Sequence, residues 1–278
     1  MADDVVISVE DLVRSFDGHV VLDGVSLKVR RGETMVIMGG SGCGKSTLLR
    51  HMIGSLTPDG GRVVLLGQDL NELDEAELNK LRLRFGILFQ SGALFNSMTI
   101  GENVALPLRE HTALDPATIE IIVKMKLEMV GLREHADKMP AQISGGMRKR
   151  AGLARALALD PEILFYDEPS AGLDPVTSAE IDQLIIDLSS KLGVTSVVVT
   201  HEMDSAFRIA SRMAMLDSGR VVALGTPPEI RGSPDPLVQQ FINGLATGPI
   251  TERRLHTNYE QDILGVAVAP EAMRIAGI

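Results

Sequence analysis

The chain has 278 residues, a formal net charge of -10 at pH 7 and 45% hydrophobic residues. This length suits one large domain, or a domain with a subdomain, and the acidic balance argues against a nucleic-acid partner, which needs clustered Lys and Arg. The single cysteine excludes an internal disulfide and fits a reducing compartment. No stretch resembles a signal peptide or the roughly 20 apolar residues of a membrane span, so we expect a membrane link only through a partner.

The first third of the chain predicts mainly strands. Short runs of branched residues bounded by Gly, Asp or Pro are typical of strands, and they occur at 5–9, 25–29, 34–38 and 62–66. A helix is predicted from Lys45 to about Met52, and a charged helix at 74–84. A short apolar strand follows at 86–89.

The remainder of the chain alternates helices and strands after a long helical block. That block covers 100–159, with breaks predicted at Pro107, Pro116 and Pro140. Buried strands are then predicted at 163–166, 196–200 and 213–216, with helices at 176–192, 204–210 and 237–245. Alternating strands and helices predict a parallel sheet with right-handed crossovers, so the helical block is expected to be an inserted subdomain.

A glycine-rich segment between a predicted strand and a predicted helix matches the phosphate-loop pattern in its required context. The glycines let successive backbone N–H groups turn inward, and the helix start adds a partial positive charge. Lys45 is predicted to reach the β- and γ-phosphates, and Ser46 to offer its hydroxyl to Mg²⁺. The predicted nucleotide-binding residues of this loop are Gly39, Gly40, Ser41, Gly42, Cys43, Gly44, Lys45, Ser46 and Thr47.

Two further segments predict chemistry at phosphates. The strand 163–166 ends at Asp167 and Glu168, which places acid at the ligand-binding edge of a parallel sheet; Asp167 is predicted to hold Mg²⁺ through water and Glu168 to act as general base. Ser144, Gly145 and Gly146 precede a helix and form a second anion site. Taken alone, the segment 144–146 is better explained as an ordinary capped helix start than as an anion site. Beside the phosphate loop, it predicts a nucleotide clamped from two sides.

Together with Gln90, Gly172-Leu173-Asp174 and His201, these motifs follow the order and spacing of ABC-transporter ATPases, which residues 5–243 resemble. The resemblance implies an α/β P-loop NTPase fold of the ABC ATPase type. Its central sheet is mixed, its N-terminal part is antiparallel β structure, and its helical subdomain is inserted at about 91–160. Residues 244–278 form a C-terminal extension, either disordered or an arm reaching a neighbouring subunit through the apolar run 263–268.

The resemblance also implies roles for single residues. Phe16 is expected to stack on adenine, the alternative being a core aromatic. Gln90 is expected to contact Mg²⁺ and the attacking water, Asp174 to lie in the loop that crosses the dimer interface, and His201 to bind the γ-phosphate. The residues that the resemblance makes catalytic are Lys45, Gln90, Glu168 and His201, and the expected metal-binding residues are Ser46, Gln90 and Asp167.

In this family the Ser-Gly-Gly helix of one subunit caps ATP on the other. The resemblance therefore implies an ATP-sandwich homodimer that hydrolyses MgATP, and whose closing and opening drives a membrane partner. Loss of Lys45, Glu168 or His201 would indicate an inactive subunit, and all three are present.

One departure from the common family pattern narrows the resemblance. Many members carry Gln after Ser-Gly-Gly, whereas Met147 occupies that position here. Met147 and the segments 88–95, 107–112 and 235–245 resemble the phospholipid-transport branch, the MlaF-like ATPases. This branch implies transport between the inner and outer membranes with permease subunits, an MCE-type lipid-binding subunit acting indirectly and a possible small regulatory subunit.

The same branch implies a peripheral position on the cytoplasmic side of a bacterial inner membrane. Residues 91–97 are apolar and glycine-containing, and we predict that they help to form the groove that receives a permease helix, the alternative being a loop packed on the helical subdomain.

Two other functions stay open: an ABC importer ATPase for an amino acid, ion or peptide, and a non-transport ABC ATPase. Against the latter, the chain has one ATPase unit, one cysteine and no heptad run.

Overall fold

The computed structural model describes residues 4–253 and contains two sheets with helices around them. The strands are β1 (Val5–Phe16), β2 (His19–Arg30), β3 (Thr34–Gly39), β4 (Gly60–Leu65), β5 (Gln68–Asp69), β6 (Phe85–Leu88), β7 (Ile163–Asp167), β8 (Thr195–Thr200), β9 (Arg212–Asp217) and β10 (Arg220–Gly225). The helices are α1 (Lys45–Met52), α2 (Glu75–Arg82), α3 (Ile100–His111), α4 (Pro116–Met129), α5 (Gly145–Ala156), α6 (Pro175–Leu192), α7 (Met203–Ile209), α8 (Pro227–Arg231) and α9 (Pro236–Ile242).

The N-terminal sheet is antiparallel, with the strand order β2-β1-β4-β5. Its first two strands are much longer than the predicted runs 5–9 and 25–29, because they continue to the turn of a hairpin. Asp17 and Gly18 form the turn with φ of 49° and 82°, as a two-residue hairpin of the right twist requires. The register slips between Val9 and Leu12, where Asp11 has a φ of 46°, and this irregularity breaks the alternation that would predict one long strand.

The central sheet has the order β10-β9-β3-β8-β7-β6. Neighbouring strands from β9 to β6 run parallel, and β10 alone pairs antiparallel with β9. Every residue of β3 and β8 is buried, as expected for strands covered on both faces. The mixed sheet, the antiparallel N-terminal part and the helices between β6 and β7 confirm the predicted fold class.

The helical segment between β6 and β7 contains α3, α4 and α5. The predicted break at Pro107 is wrong, because α3 runs through it from Ile100 to His111. Proline removes one backbone hydrogen bond from a helix interior. Here the helix keeps a capping box at Thr99 and Glu102 and buries an apolar stripe that includes Val104 and Leu108, and we attribute its continuity to these contacts.

The described chain divides into a unit that ends at Pro227 and a second unit that begins at Pro228. The second unit contains most of α8 and all of α9, in which Asp235 caps the helix start. The predicted domain boundary at 243/244 stays a prediction, and the apolar run 263–268 lies outside the described residues. Within 4–253, no helix combines the length and the apolar character needed to cross a bilayer.

Candidate active site

Four adjacent parallel strands present the predicted site residues at one edge of the central sheet. In the order β3, β8, β7 and β6, these strands are followed by the phosphate loop, His201, Glu168 and Gln90. The carboxyl ends of parallel strands meet at the same edge, where α/β proteins bind their ligands. The fold therefore gathers residues that lie more than 150 positions apart in the chain.

The phosphate loop curls around the ammonium group of its own lysine. Lys45 Nζ donates hydrogen bonds to the carbonyl oxygens of Gly39 and Gly40, at 2.8 and 2.9 Å. Gly39 has a φ of 152°, and a Cβ added there would lie 2.1 Å from the carbonyl oxygen of Leu216, so only glycine fits. No side chain caps the start of α1, which leaves its first N–H groups to an anion in the loop.

The rest of the loop is braced by a turn between β9 and β10. Gly219 N–H donates to the carbonyl oxygen of Cys43 at 3.2 Å, while the Gly219 carbonyl accepts from Asp23 N–H at 2.9 Å. Cys43 is buried, and burial raises the pKa of its thiol. Ser41 and Ser46 are exposed, so the Ser46 hydroxyl is free to meet a ligand at the start of α1.

Asp167, the last residue of β7, is half-buried. Burial raises the pKa of its carboxyl, and the charge of Glu168 raises it further, whereas Arg50 and Lys45 act in the opposite direction. A carboxylate in this environment suits a divalent cation, because a bound cation offsets the unfavourable burial of negative charge. The donor set of Asp167 and the Ser46 hydroxyl, two oxygens, fits Mg²⁺.

Glu168 follows with a left-handed backbone, at a φ of 49°. A residue with a side chain in this region carries a cost of about 1–3 kcal/mol and persists only where its surroundings hold it. Its N–H donates to the carbonyl of Val199 in β8 at 2.9 Å. Its carboxylate lies 2.9 Å from Nδ1 of His201, which leaves the second ring nitrogen of His201 for another partner.

The predicted second anion site is the start of α5. Ser144 caps this helix, its Oγ accepting a hydrogen bond from Met147 N–H at 3.2 Å. Gly146 lies against α6, where an added Cβ would be 2.3 Å from Thr177 Cγ2. Asp174 caps α6 through the N–H groups of Val176 and Thr177, and the Thr177 hydroxyl, the largest cause, lowers the pKa of Asp174.

These two helix starts pack against each other at Gly146 and Thr177. Within residues 4–253, no hydrogen bond joins Ser144 or Asp174 to the loop of the same chain. Gln90 is exposed in the turn after β6.

Phe16 lies at the end of β1, next to the hairpin turn, and 38% of it is exposed. The alternative of a core aromatic is therefore wrong. The guanidinium of Arg14 lies over the ring, 4.7 Å from its centroid, and is itself held by Asp59 at 2.8 Å. The Arg14 cation therefore covers one face of the Phe16 ring. Val21 and Leu22 of the same hairpin contact the phosphate loop at Gly44.

Lys149 was not expected to reach this site. It lies in α5 between Arg148 and Arg150, and its Nζ donates hydrogen bonds to the carbonyl oxygens of Glu168 and Ala171. The signal was available in the helical spacing, since Gly146, Lys149 and Leu153 share the buried face of α5.

The comparisons with known proteins agree with this geometry. A family model described as ABC transporter matches residues 22–171. The intermembrane phospholipid transport system ATP-binding protein MlaF of Escherichia coli K12 is 42% identical over 93% of this chain and 96% of its own length. The probable ribonucleotide transport ATP-binding protein mkl of Mycobacterium leprae is 45% identical over 88% of this chain and 71% of its own length.

A solved structure extends the likeness to the fold. The ATP-binding cassette MJ0796, described as a dimer in a post-hydrolysis state bound to ADP and Pi, has a TM-score of 0.74 and 33% identity, covering 80% of this chain and 98% of that one. The family model covers the phosphate loop, Gln90, Ser144 and the pair Asp167 and Glu168. The chain belongs to the ABC transporter family, as one of its ATP-hydrolysing members.

Proposed function

We propose that two copies of this chain bind MgATP between them and that its hydrolysis powers phospholipid transport by a membrane complex. The observation that carries the proposal is the meeting of Lys45, Asp167, Glu168 and His201 at one sheet edge. A loop shaped for phosphate, a half-buried carboxylate and an oriented acid–base pair are the parts that phosphoryl transfer to water requires.

Each residue has a distinct task in this proposal. Lys45 exchanges the carbonyls of Gly39 and Gly40 for the β- and γ-phosphate oxygens, which accept hydrogen bonds more strongly because they are charged. Ser46 and Asp167 hold Mg²⁺, with Gln90 reaching it from the neighbouring strand. Mg²⁺ supplies charge neutralisation at the phosphate oxygens. Glu168 orients and polarises the attacking water, and His201 holds the Glu168 carboxylate and approaches the γ-phosphate.

The remaining site residues act across a dimer. Ser144, Gly145 and Gly146 present the start of α5 to the γ-phosphate of a nucleotide held by the second copy, and Asp174 lies beside them. The absence of hydrogen bonds from these residues to their own phosphate loop, within residues 4–253, supports this arrangement. So does the solved relative, which is described as a dimer. Phe16 stacks on adenine.

The Glu168→Gln variant tests the nucleotide part of the proposal. The amide cannot accept a proton from water, so we expect ATP turnover to fall by about 100-fold or more while nucleotide binding persists. Light scattering of the variant saturated with MgATP should then give twice the chain mass. A variant that stays monomeric even with its membrane partners, or that hydrolyses ATP normally, contradicts the proposal.

The cargo is inferred from the relatives. Their names differ, since one is called a phospholipid transport protein and the other a probable ribonucleotide transport protein. The former is matched over nearly its full length, and the segments 88–95 and 235–245 resemble that branch, so we favour phospholipid. Mass spectrometry of small molecules that co-purify with the native complex tests this: bound phospholipid supports it, and bound nucleotides or peptides without lipid contradict it.

The proposed partners follow from the same inference. They are a permease, an MCE-type lipid-binding subunit reached through the permease and a small regulatory subunit, with the chain peripheral on the cytoplasmic side of an inner membrane. Phe89 and Phe95 are exposed on either side of the turn at Gln90, which supports a permease contact at 91–97. Phe95→Asp should weaken recovery of the permease in a pull-down and leave nucleotide binding unchanged; loss of both counts against this contact.

A further inference from the structure

A buried lysine of α5 makes its hydrogen bonds to the segment that carries the proposed general base. Lys149 is 5% exposed, and its Nζ lies 2.7 Å from the carbonyl oxygen of Ala171 and 3.2 Å from that of Glu168. Within residues 4–253, no carboxylate lies within ion-pair distance of this ammonium group. Its hydrogen-bond acceptors are the two main-chain carbonyl oxygens.

Burying a cation without a carboxylate partner is unfavourable. In agreement with this, burial lowers the pKa of Lys149, although the carboxylates of Glu168 and Glu202 oppose the shift. The neighbouring basic residues are placed differently: Arg148 donates to the carbonyl of Ile143, and Arg150 pairs with Glu180. Of the three, Lys149 is the one turned toward the catalytic segment.

The backbone that Lys149 contacts is the strained part of the site. Glu168 has its φ at 49°, and its conformation is held on one side by the hydrogen bond from its N–H to Val199 of β8. On the other side, its carbonyl accepts from Lys149 Nζ and from the N–H of Ala171, at 3.2 and 3.3 Å. The second carbonyl bound by Lys149 belongs to Ala171, the residue whose N–H closes this turn.

Helix α5, which carries Lys149, is closely packed on both sides of this residue. α5 packs against its surroundings at two glycines, since an added Cβ would lie 2.3 Å from Thr177 Cγ2 at Gly146 and 2.8 Å from the carbonyl oxygen of Gly92 at Gly152. These close contacts lie one turn before and about one turn after Lys149. The lysine therefore reaches the Glu168 segment from a fixed position.

We propose that Lys149 is a positioning residue for ATP hydrolysis, which holds the backbone of Glu168 so that its carboxylate points at the attacking water. The inference rests on the proposed role of Glu168 as general base. Lys149 acts through Glu168, because its own hydrogen bonds go to main-chain carbonyl oxygens. As a consequence, α5, whose start faces the nucleotide of the second copy, is tied to the general base of its own copy.

The test compares Lys149→Met with Lys126→Met in the full-length chain, purified with the membrane proteins that accompany it. Lys126 is a matched control, being 7% exposed and bound to Asp160 in the helical segment. We expect Lys149→Met to lower kcat at least tenfold while KM for ATP and the Kd of a non-hydrolysable analogue stay within about twofold. Lys126→Met should leave kcat within about twofold, and Lys149→Arg, which can still donate to both carbonyls, should recover most of the lost kcat.

Several results would overturn the inference. They are a Lys149→Met variant with normal kcat, an equal loss in the Lys126 control, or a rise in the analogue Kd that accounts for the loss of activity. If Lys149→Met does not fold, Lys149→Gln, which keeps one donor group, takes its place with the same expected split between kcat and KM. Glu168→Gln separates the two proposals. Normal ATP turnover in Glu168→Gln refutes the role of Glu168 as general base. Lost turnover in Glu168→Gln together with normal turnover in Lys149→Met refutes only the positioning role of Lys149.

Discussion

His201 holds both carboxylate oxygens of Glu168: its ring Nδ1 lies 2.9 Å from Oε1, and its main-chain N–H donates to Oε2 at 3.3 Å. The carboxylate side chain is only 13% exposed, whereas the imidazole is 60% exposed. The Glu168 carboxylate and the exposed imidazole of His201 lie at the carboxyl ends of the neighbouring strands β7 and β8. The histidine is thus placed to orient the base and to meet the phosphate from the solvent side.

Replacing His201 by Ala should lower kcat for ATP by roughly 10- to 100-fold, because Glu168 loses the side-chain contact that orients it. Nucleotide affinity should fall only a few-fold, since one contact to the γ-phosphate is lost while the phosphate loop is untouched. Steady-state ATPase assays with a parallel measurement of analogue binding check both expectations. His111→Ala, an exposed histidine at the end of α3, is the control, and a similar loss of activity in both variants would contradict a specific role.

Phe16→Ala should raise KM for ATP about tenfold and leave kcat at saturation unchanged. The ring is proposed to stack on adenine, and base–aromatic stacking contributes about 1–3 kcal/mol. Val20→Ala removes a more exposed apolar side chain, 58% exposed, from the same hairpin and should have no effect on KM. An unchanged KM in Phe16→Ala shows that the base binds elsewhere.

Gly146→Ala should destabilise the fold, because the new Cβ would meet Thr177 Cγ2 at 2.3 Å. Overpacking of this kind costs about 1–3 kcal/mol, measurable as a lower urea midpoint. Adding Thr177→Ser removes the clashing methyl group and keeps the hydroxyl that bonds Asp174, so the double variant should recover most of the loss. Gly145→Ala, with its nearest heavy atom at 3.7 Å, should be close to wild type. Failure of the second substitution to restore stability would show that the cost has another source.

The environment of His51 predicts that part of the free energy of unfolding depends on pH. It is 1% exposed, its Nδ1 lies 2.8 Å from the carbonyl of Thr47, and its Nε2 has no partner among the described residues. Burial is the largest cause and lowers its pKa. Arg14 acts in the same direction, whereas the backbone of Thr47 and Thr57 and the charge of Asp59 raise it.

Since the folded pKa lies below the unfolded value of about 6.5, the unfolded state takes up the proton first as pH falls. The stabilisation is then complete above about pH 6.5 and is lost as pH drops toward and through the folded pKa. In His51→Asn, which keeps a donor toward Thr47, the fall in unfolding free energy between pH 7.5 and 5.5 should be shallower than in the wild type. Parallel curves for the two proteins would rule out this contribution.

Much of the site could be predicted from the sequence because its parts are local. The phosphate loop consists of consecutive residues between β3 and α1, and the acidic pair ends a strand whose buried character is evident from its composition. Helix α1 begins and ends where predicted, at Lys45 and Met52. Glycines, caps and apolar runs act on their own neighbours in the chain, so their consequences can be derived without knowing the fold.

Contacts between distant segments were decided only by the tertiary structure. The hydrogen bonds from Lys149 to Glu168, the cover of Arg14 over Phe16 and the pairing of His201 with Glu168 depend on how strands are ordered and how α5 packs. The same holds for α3, which stays helical through Pro107 where local preference predicts a break. The sequence by itself determined which chemical groups are available and in what order; packing determined which of them meet, because side-chain contacts across the sheet follow from three-dimensional neighbours and not from spacing along the chain.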